Sequence, residues 1–313
     1  MKVSDIEFTS GLAQIVDAED LEERVLLSTC TTFAVGGPAR WFVSPKDEQT
    51  LIRVIELCER EDVPYFVLGY GSNLLVSDRG YKGVIIRLKK HFSDVRFDGT
   101  SVKAGGGASL KRLRTTAWEN GYVGLAFAAG IPGSIGGAIY MNCGAYDKDI
   151  ASVLSSVTVY QPEKHAVATL SAAELQFSYR RSILMDTHWI VLEACFDLLH
   201  SEDPAVLEAE KKQAEEYIQS RKQKQPLEYP SAGSTFKRPV GGYAGKLIME
   251  SGLAGFSIGD AAVSQKHCGF IVNRGHASAD DIYRLCKAVQ KIVKEKTGFV
   301  LEPEICFLGS FEE

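Results

Sequence analysis

Two glycine-rich stretches hold the strongest chemical signal in this chain: Leu68-Gly69-Tyr70-Gly71-Ser72-Asn73 and Gly130-Ile131-Pro132-Gly133-Ser134-Ile135-Gly136-Gly137-Ala138. Glycine lets backbone N–H groups approach phosphate oxygens, because no Cβ stands in the way and positive φ is tolerated. Ser72, Asn73 and Ser134 add donors, and together the stretches read as a grip on a diphosphate. Neither ends in the Lys-Ser/Thr of a nucleoside-triphosphate loop, and Gly69-x-Gly71 lacks the third glycine of a Rossmann fingerprint, so a different dinucleotide cradle is implied. Taken alone, the first stretch is also ordinary turn chemistry after a strand, Tyr65-Phe66-Val67-Leu68. The second has five glycines and a proline between Gly130 and Gly144. These weaken any regular element by roughly 0.5–1 kcal/mol per glycine, and a flat cofactor lying against bare backbone is the natural compensation.

Three further places hold polar residues that periodicity does not explain. Tyr179-Arg180-Arg181-Ser182 carries two planar, permanently charged guanidinium groups suited to a carboxylate, or else is a surface arginine pair. Pro230-Ser231-Ala232-Gly233-Ser234-Thr235-Phe236-Lys237-Arg238-Pro239 exposes backbone and hydroxyls next to two cations; it is either an anion site or a solvent-exposed turn. Leu301-Glu302-Pro303-Glu304-Ile305 places a carboxylate beside apolar residues, as a strand-edge group or as a buried acid with a raised pKa.

Elements that must position these groups follow from pattern. A strand at 39–43, a helix at 48–60 with Leu51, Ile52, Val54, Ile55 and Cys58 on its apolar face, and strands at 65–68 and 84–88 make a β-α-β unit after an acidic leader. From about residue 90 shorter strands appear at 95–97, 102–104, 153–160 and 190–196, with a helix at 110–119; this reads as a second α+β subdomain. Residues 208–224 form a charged surface helix with a thin apolar face of Ala209, Ala214, Tyr217 and Ile218. Beyond Pro226 a third unit holds helices at 244–250 and 279–296, strands near 262 and at 270–272, and a last strand at 299–307. Ser278 with Asp281 makes a capping box for the long helix.

Composition sets the class. The chain has 313 residues, 45% hydrophobic and 24% charged, enough for two or three cores without staples. A formal charge of −5 and the lack of a basic run argue against nucleic acid or an anionic membrane surface as partner. Residues 1–30 are too acidic and broken for a signal peptide and no apolar run would span a bilayer, so a cytoplasmic setting is expected. Seven cysteines without a Cys-x-x-Cys spacing favour reduced thiols, and the scattered histidines, His267 and His276 included, favour no metal site.

Seven collinear motifs run from about residue 28 to residue 309. They are Thr32-Phe33-x-x-Gly36-Gly37, Gly69-x-Gly71-Ser72-Asn73, Gly130-Ile131-Pro132-Gly133-Ser134-x-Gly136-Gly137, Asn142-x-Gly144-Ala145-Tyr146, Tyr179-Arg180-x-Ser182, Ala232-Gly233-Ser234-x-Phe236-Lys237 and Leu301-Glu302-Pro303-Glu304. Together they resemble the bacterial UDP-N-acetylenolpyruvoylglucosamine reductases. The resemblance implies an α+β fold: a two-part FAD-binding region of the vanillyl-alcohol-oxidase type plus a smaller α+β substrate domain. On this chain that means subdomains 1–88 (joined by a C-terminal strand within 305–313) and 89–222, and a substrate domain 223–304. It implies noncovalent FAD, NADPH as hydride donor, and UDP-N-acetylglucosamine enolpyruvate reduced to UDP-N-acetylmuramate for peptidoglycan, the two substrates taking turns in one site.

Carried onto this sequence, the resemblance makes Ser234 the proton donor to C2, and Arg180 with Glu304 the pair that polarises the substrate carboxylate and stabilises the enol intermediate. Hydride addition at C3 puts negative charge on the C2–carboxylate system, which suits a fixed guanidinium and a nearby hydroxyl. The resemblance assigns FAD to Leu68, Gly69, Tyr70, Gly71, Ser72, Asn73, Gly130, Ile131, Pro132, Gly133, Ser134, Gly136, Gly137, Asn142 and Ala145, and the substrate to Tyr179, Lys224 and Arg238. Only about forty residues separate Arg180 from Lys222–Pro226, so the tyrosine loop that folds over the nucleotide in the better-known subclass is expected to be absent, with Arg238 standing where that subclass has asparagine. Two rival readings are an FAD-dependent alcohol or sugar oxidase, for which Cys143 is the nearby nucleophile that could link flavin, and a sugar-nucleotide sensor without catalysis, which the presence of Arg180, Ser234 and Glu304 opposes.

Overall fold

The computed structural model describes residues 3–98 and 101–311. Its contacts divide the chain into two units: Met1–Glu22, Trp41–Gly69 and Gly83–Gln219 in the first, and Glu23–Arg40, Tyr70–Lys82 and Ser220–Glu313 in the second.

The first unit contains two cores. Helix Glu48–Arg60 starts where Asp47 Oδ1 accepts from Thr50 N–H at 2.8 Å, and it buries Leu51, Val54, Ile55 and Cys58 as its period requires. These side chains share a core with Val84 and Ile86 of strand Tyr81–Arg87, which pairs in parallel with Tyr65–Leu68. The acidic leader is not loose chain: Ser4 and Glu7 form a capping box, and helix Asp5–Ala13 adds Phe8 and Leu12 to the same core.

The second core lies on a five-stranded antiparallel sheet in the order Ala166–Ser171, Leu154–Gln161, Ile190–Asp197, Ser101–Gly105, Val95–Asp98. Helices Leu110–Glu119 and Ile135–Tyr140 contribute Leu113, Ala117, Ile135 and Ile139 to this core, together with Val157, Val159, Ala194 and Phe196 of the strands. A helix within the glycine-rich segment departs from expectation. Ser134 caps it and packing supports it, since a Cβ on Gly136 would stand 3.2 Å from the Gly106 carbonyl oxygen.

In the second unit, helix Ala279–Thr297 buries Ile282, Leu285, Cys286, Val289 and Val293. Its N-terminus carries the expected Ser278–Asp281 capping box, and Asp78 also accepts from the N–H groups of Ala279 and Asp280. The three strands Ser257–Ile258, Ala261–Val263 and Ile271–Asn273 form an antiparallel sheet. The strand expected over 299–307 is confined to Cys306–Leu308, which pairs in parallel with Leu74–Val76. Pro303 lacks an N–H for a ladder, so the residues before Cys306 are held by single bonds instead.

Candidate active site

Ser234 and Glu304 are brought together through the residue between Ser234 and Phe236. Thr235 is fully buried; its N–H donates to Gly269 O at 2.8 Å, its Oγ1 accepts from Ile271 N–H at 3.0 Å, and its carbonyl accepts from Glu304 N–H at 2.8 Å. An isolated bridge joins Phe236 to Pro303, and Lys237 N–H donates to Glu302 O at 2.9 Å. Ser234 and Glu304 are both half-buried. Gly233 adopts φ +76°, a left-handed turn that glycine takes without strain as the chain enters Ser234. From the first glycine stretch, Asn73 Nδ2 donates to Glu304 O at 2.9 Å and Asn73 O accepts from Cys306 N–H at 2.9 Å. Asn73 is thereby a clamp on the segment that bears Glu304, whatever else its side chain meets.

Arg180 sits at a tight turn closed by reciprocal bonds between Ser178 and Arg181. Its φ of 55° is left-handed, which costs a non-glycine residue roughly 1–2 kcal/mol, so the surroundings must enforce it. Arg180 Nη2 donates to Gly144 O at 3.0 Å, and its guanidinium lies 5.2 Å from the centre of the Tyr179 ring, a side chain that is exposed. The neighbouring Arg181 forms a surface ion pair with Asp186 at 2.6 Å, so the two arginines have different surroundings. Asn142 braces this turn: its Nδ2 donates to Ser178 O and Asp149 Oδ2, both at 3.0 Å, and its Oδ1 accepts from Ala151 N–H at 3.1 Å. Those bonds commit the side chain of a residue that is only 3% exposed. Buried Ser182 secures the other side by donating to Tyr140 O at 2.8 Å. Ala145 lies in the hairpin Gly144–Ala145 with Lys148–Asp149, whose two turn residues, Tyr146 and Asp147, both have positive φ.

The glycine stretches meet at Gly69 and Ser134. A Cβ on Gly69 would lie 2.5 Å from Ser134 Oγ, the hydroxyl that accepts from Gly137 N–H at 3.1 Å. Gly71 has φ +63° and packs so close to Cys30 that a Cβ would stand 2.1 Å from its carbonyl oxygen. Several amides of the second stretch are committed to the fold: Ile131 N–H donates to Ala128 O, Ile135 to Ala108 O and Gly136 to Gly106 O. Among the described backbone hydrogen bonds none takes up the N–H groups of Gly130, Gly133 or Ser134. Ahead of this stretch, Glu210 of helix Pro204–Lys224 accepts from Gly124 N–H at 2.9 Å and Ala126 N–H at 2.7 Å. The charged helix is thus not wholly a solvated face, and Glu210 had no signal in the sequence beyond its charge. Ala214, Tyr217 and Ile218 pack inward as expected, whereas Ala209 is exposed.

A family model described as UDP-N-acetylenolpyruvoylglucosamine reductase, C-terminal domain, matches residues 225–308, and one described as an FAD binding domain matches residues 39–168. A UDP-N-acetylenolpyruvoylglucosamine reductase of Clostridium novyi (strain NT) is 43% identical over 311 residues, 99% of each chain. The chain belongs to the UDP-N-acetylenolpyruvoylglucosamine reductase family. The relative of the same name from Caldanaerobacter subterraneus subsp. tengcongensis is 47% identical over 279 residues, 89% of this chain and 90% of its own. A crystal structure of a reductase of this family from Thermus caldophilus superposes with a TM-score of 0.77 at 37% identity, covering 92% of this chain and 98% of that one. Family membership makes the chain an FAD-dependent oxidoreductase of α+β fold.

The residues present suit FAD. A Cβ on Gly133 would meet nothing nearer than Leu110 Cδ1 at 3.8 Å, so the backbone there is open to close approach, as a diphosphate requires. Burial pushes the Cys143 thiol up to about 12, which makes it a poor nucleophile and disfavours a covalent flavin link. Among the described residues no group of three or more His, Cys, Asp or Glu could hold a metal ion, and no described helix is long and apolar enough to cross a membrane. Lys224, at the end of its helix, and Arg238 are exposed, and Arg238 stacks 4.6 Å from the Tyr243 ring centre.

Proposed function

We propose that the chain reduces the enolpyruvyl ether of UDP-N-acetylglucosamine enolpyruvate to UDP-N-acetylmuramate, with NADPH as electron source, as a cytoplasmic step of peptidoglycan precursor synthesis. The observation that carries this reading is the pairing of Ser234 with Glu304 on bonded backbone segments, in a chain of this family. Residues 1–88 and 89–222 are assigned to FAD and 223–304 to the substrate. FAD, when bound, supplies the relay that takes hydride from NADPH and delivers it to C3 of the substrate.

In this scheme the chain's own groups hold charge and move one proton. The Arg180 guanidinium stabilises the charge that develops on the C2–carboxylate system, from a backbone that Asn142 and Ser182 keep from relaxing. Ser234 Oγ gives its proton to C2, and Glu304, fixed through Thr235 and Asn73, orients or assists it. Tyr179, Lys224 and Arg238 meet the substrate, the two cations at its diphosphate. Leu68–Asn73, Gly130–Ser134, Gly136, Gly137, Asn142 and Ala145 line the cofactor, with the N–H groups of Gly133 and Ser134 as its diphosphate donors.

Ser234→Ala tests the assignment in one preparation. Stopped-flow absorbance should show flavin reduction by NADPH unchanged and reoxidation by the enolpyruvyl substrate slowed by roughly 10²–10⁴-fold, the usual contribution of a positioned proton donor. Unchanged reoxidation, or equal slowing of both steps, removes Ser234 from the role.

A further inference from the structure

We propose that His267 is a positioning residue for Ser234, acting through the Gly269–Thr235 backbone bond; the inference rests on the assignment of Ser234 as proton donor. His267 lies in the turn joining strands Ala261–Val263 and Ile271–Asn273. Its own backbone is fixed there, because His267 N–H donates to Ser264 Oγ at 3.3 Å and His267 O accepts from Phe270 N–H at 2.9 Å.

The imidazole then acts as an acceptor. Gly269 N–H donates to His267 Nδ1 at 3.2 Å, and the carbonyl of the same Gly269 receives Thr235 N–H at 2.8 Å. One peptide unit on from Thr235 N is Ser234, and the Thr235 carbonyl holds Glu304 N–H. A single chain of bonds therefore runs from the ring to both members of the proposed acid pair. Burial holds the imidazole below its ordinary pKa, so the ring stays neutral and Nδ1 keeps its lone pair.

Packing is shaped around the ring. A Cβ on Gly269 would stand 2.9 Å from His267 Cε1 and one on Gly245 3.5 Å from the same atom, and the Phe270 ring meets the imidazole edge-on at 4.9 Å. Displacement of Gly269 from the ring would move the residue whose carbonyl receives Thr235 N–H, and the fully buried Thr235 amide would be left without an acceptor.

His267→Leu keeps the bulk and removes the acceptor. In the FAD-loaded enzyme, reoxidation by the enolpyruvyl substrate should slow at least about tenfold while flavin reduction by NADPH stays within about twofold, the expected cost of a small displacement of a reacting group. His267→Asn should restore most of the rate, because an asparagine side chain accepts from the N–H two residues on. Amide hydrogen exchange at Thr235 should quicken in His267→Leu and stay at the wild-type rate in His267→Asn. Should His267→Leu fold poorly, Gly269→Ala displaces the ring from the other side and should show the same selective slowing.

The double variant Ser234→Ala/His267→Leu should reoxidise no more slowly than Ser234→Ala, since a positioning effect vanishes with the group positioned. Multiplicative slowing in the double variant, or normal reoxidation in both His267→Leu and Gly269→Ala alongside a slow Ser234→Ala, overturns the role of His267. Normal reoxidation in Ser234→Ala itself overturns the donor assignment instead.

Discussion

Gly69→Ala is a small perturbation with a cost that the structure lets one work out. Gly69 is outside the left-handed region, so alanine meets no backbone strain and by itself would gain roughly 0.4–1 kcal/mol through the unfolded chain. The new Cβ, however, would lie 2.5 Å from Ser134 Oγ, and Ser134 is only 3% exposed. The hydroxyl must turn away, which forfeits the cap on Gly137 N–H, about 1 kcal/mol, and leaves a buried hydroxyl without a partner, about 1–3 kcal/mol more. A net loss of roughly 1–3 kcal/mol is expected. Ser134→Ala alone should cost about 1 kcal/mol as a lost cap, and Gly69→Ala/Ser134→Ala should be no worse, because the clash disappears with the hydroxyl. Trp41, Trp118 and Trp189 all belong to the first unit, so the urea midpoint of tryptophan fluorescence reports on the right part of the chain. FAD affinity, measured separately, should fall in step with the cap. A Gly69→Ala protein as stable as wild type, or a double variant whose losses add, refutes the contact between the two stretches.

Two other predictions follow from single residues. Asp20 is 5% exposed; burial pushes its carboxyl up, but donation from Lys90 at 2.6 Å and His91 at 3.0 Å outweighs this and holds it below the ordinary value. Its stabilisation is therefore present above the unfolded value of about 3.9 and lost as pH falls through the depressed folded one, so the gap in urea midpoint between wild type and Asp20→Asn should close below about pH 4. If Arg238 meets the substrate diphosphate as proposed, Arg238→Ala should raise KM for the sugar nucleotide by the equivalent of roughly 1.5–3 kcal/mol with kcat little changed, since a contact remote from C2 and C3 binds ground state and transition state alike. A fall in kcat at constant KM would place Arg238 in the chemistry instead.

Much of the fold is legible where local signals agree. Helices Glu48–Arg60, Leu110–Glu119 and Ala244–Glu250 have the bounds that apolar periodicity predicts, and Asp47 and Ser109 cap the first two. Strand Ala166–Ser171 escapes such reading because its residues alternate between half-buried and exposed, and its inward positions are Ala166, Ala168 and Leu170 while Val167 faces out. Helix Ile135–Tyr140 is hidden by the glycines that its tight packing on Gly106 requires. The glycine stretches and the motifs around Arg180, Ser234 and Glu304 are visible as residue types out of place in ordinary elements. What holds them is not visible. Asn73 reaches the Glu304 carbonyl 231 residues away and Asn142 reaches Ser178 across 36 residues, so only the folded chain shows that asparagines in cofactor-like motifs also brace the acid and the arginine. Thr235, Glu210 and His267 are ordinary in sequence and acquire roles only from the backbone groups they meet.

The most direct test of the proposed reaction is NADPH oxidation by the FAD-loaded protein with and without UDP-N-acetylglucosamine enolpyruvate, run in deuterated water with the product analysed by mass and NMR. Sustained NADPH oxidation is expected only when the enolpyruvyl nucleotide is present, with one UDP-N-acetylmuramate formed per NADPH and a solvent deuteron at C2; because the N–H of reduced flavin exchanges with solvent while the two substrates take turns, deuterium at C3 is expected as well. Oxidation that proceeds with oxygen alone and ignores the nucleotide, or a product without solvent deuterium at C2, would contradict it.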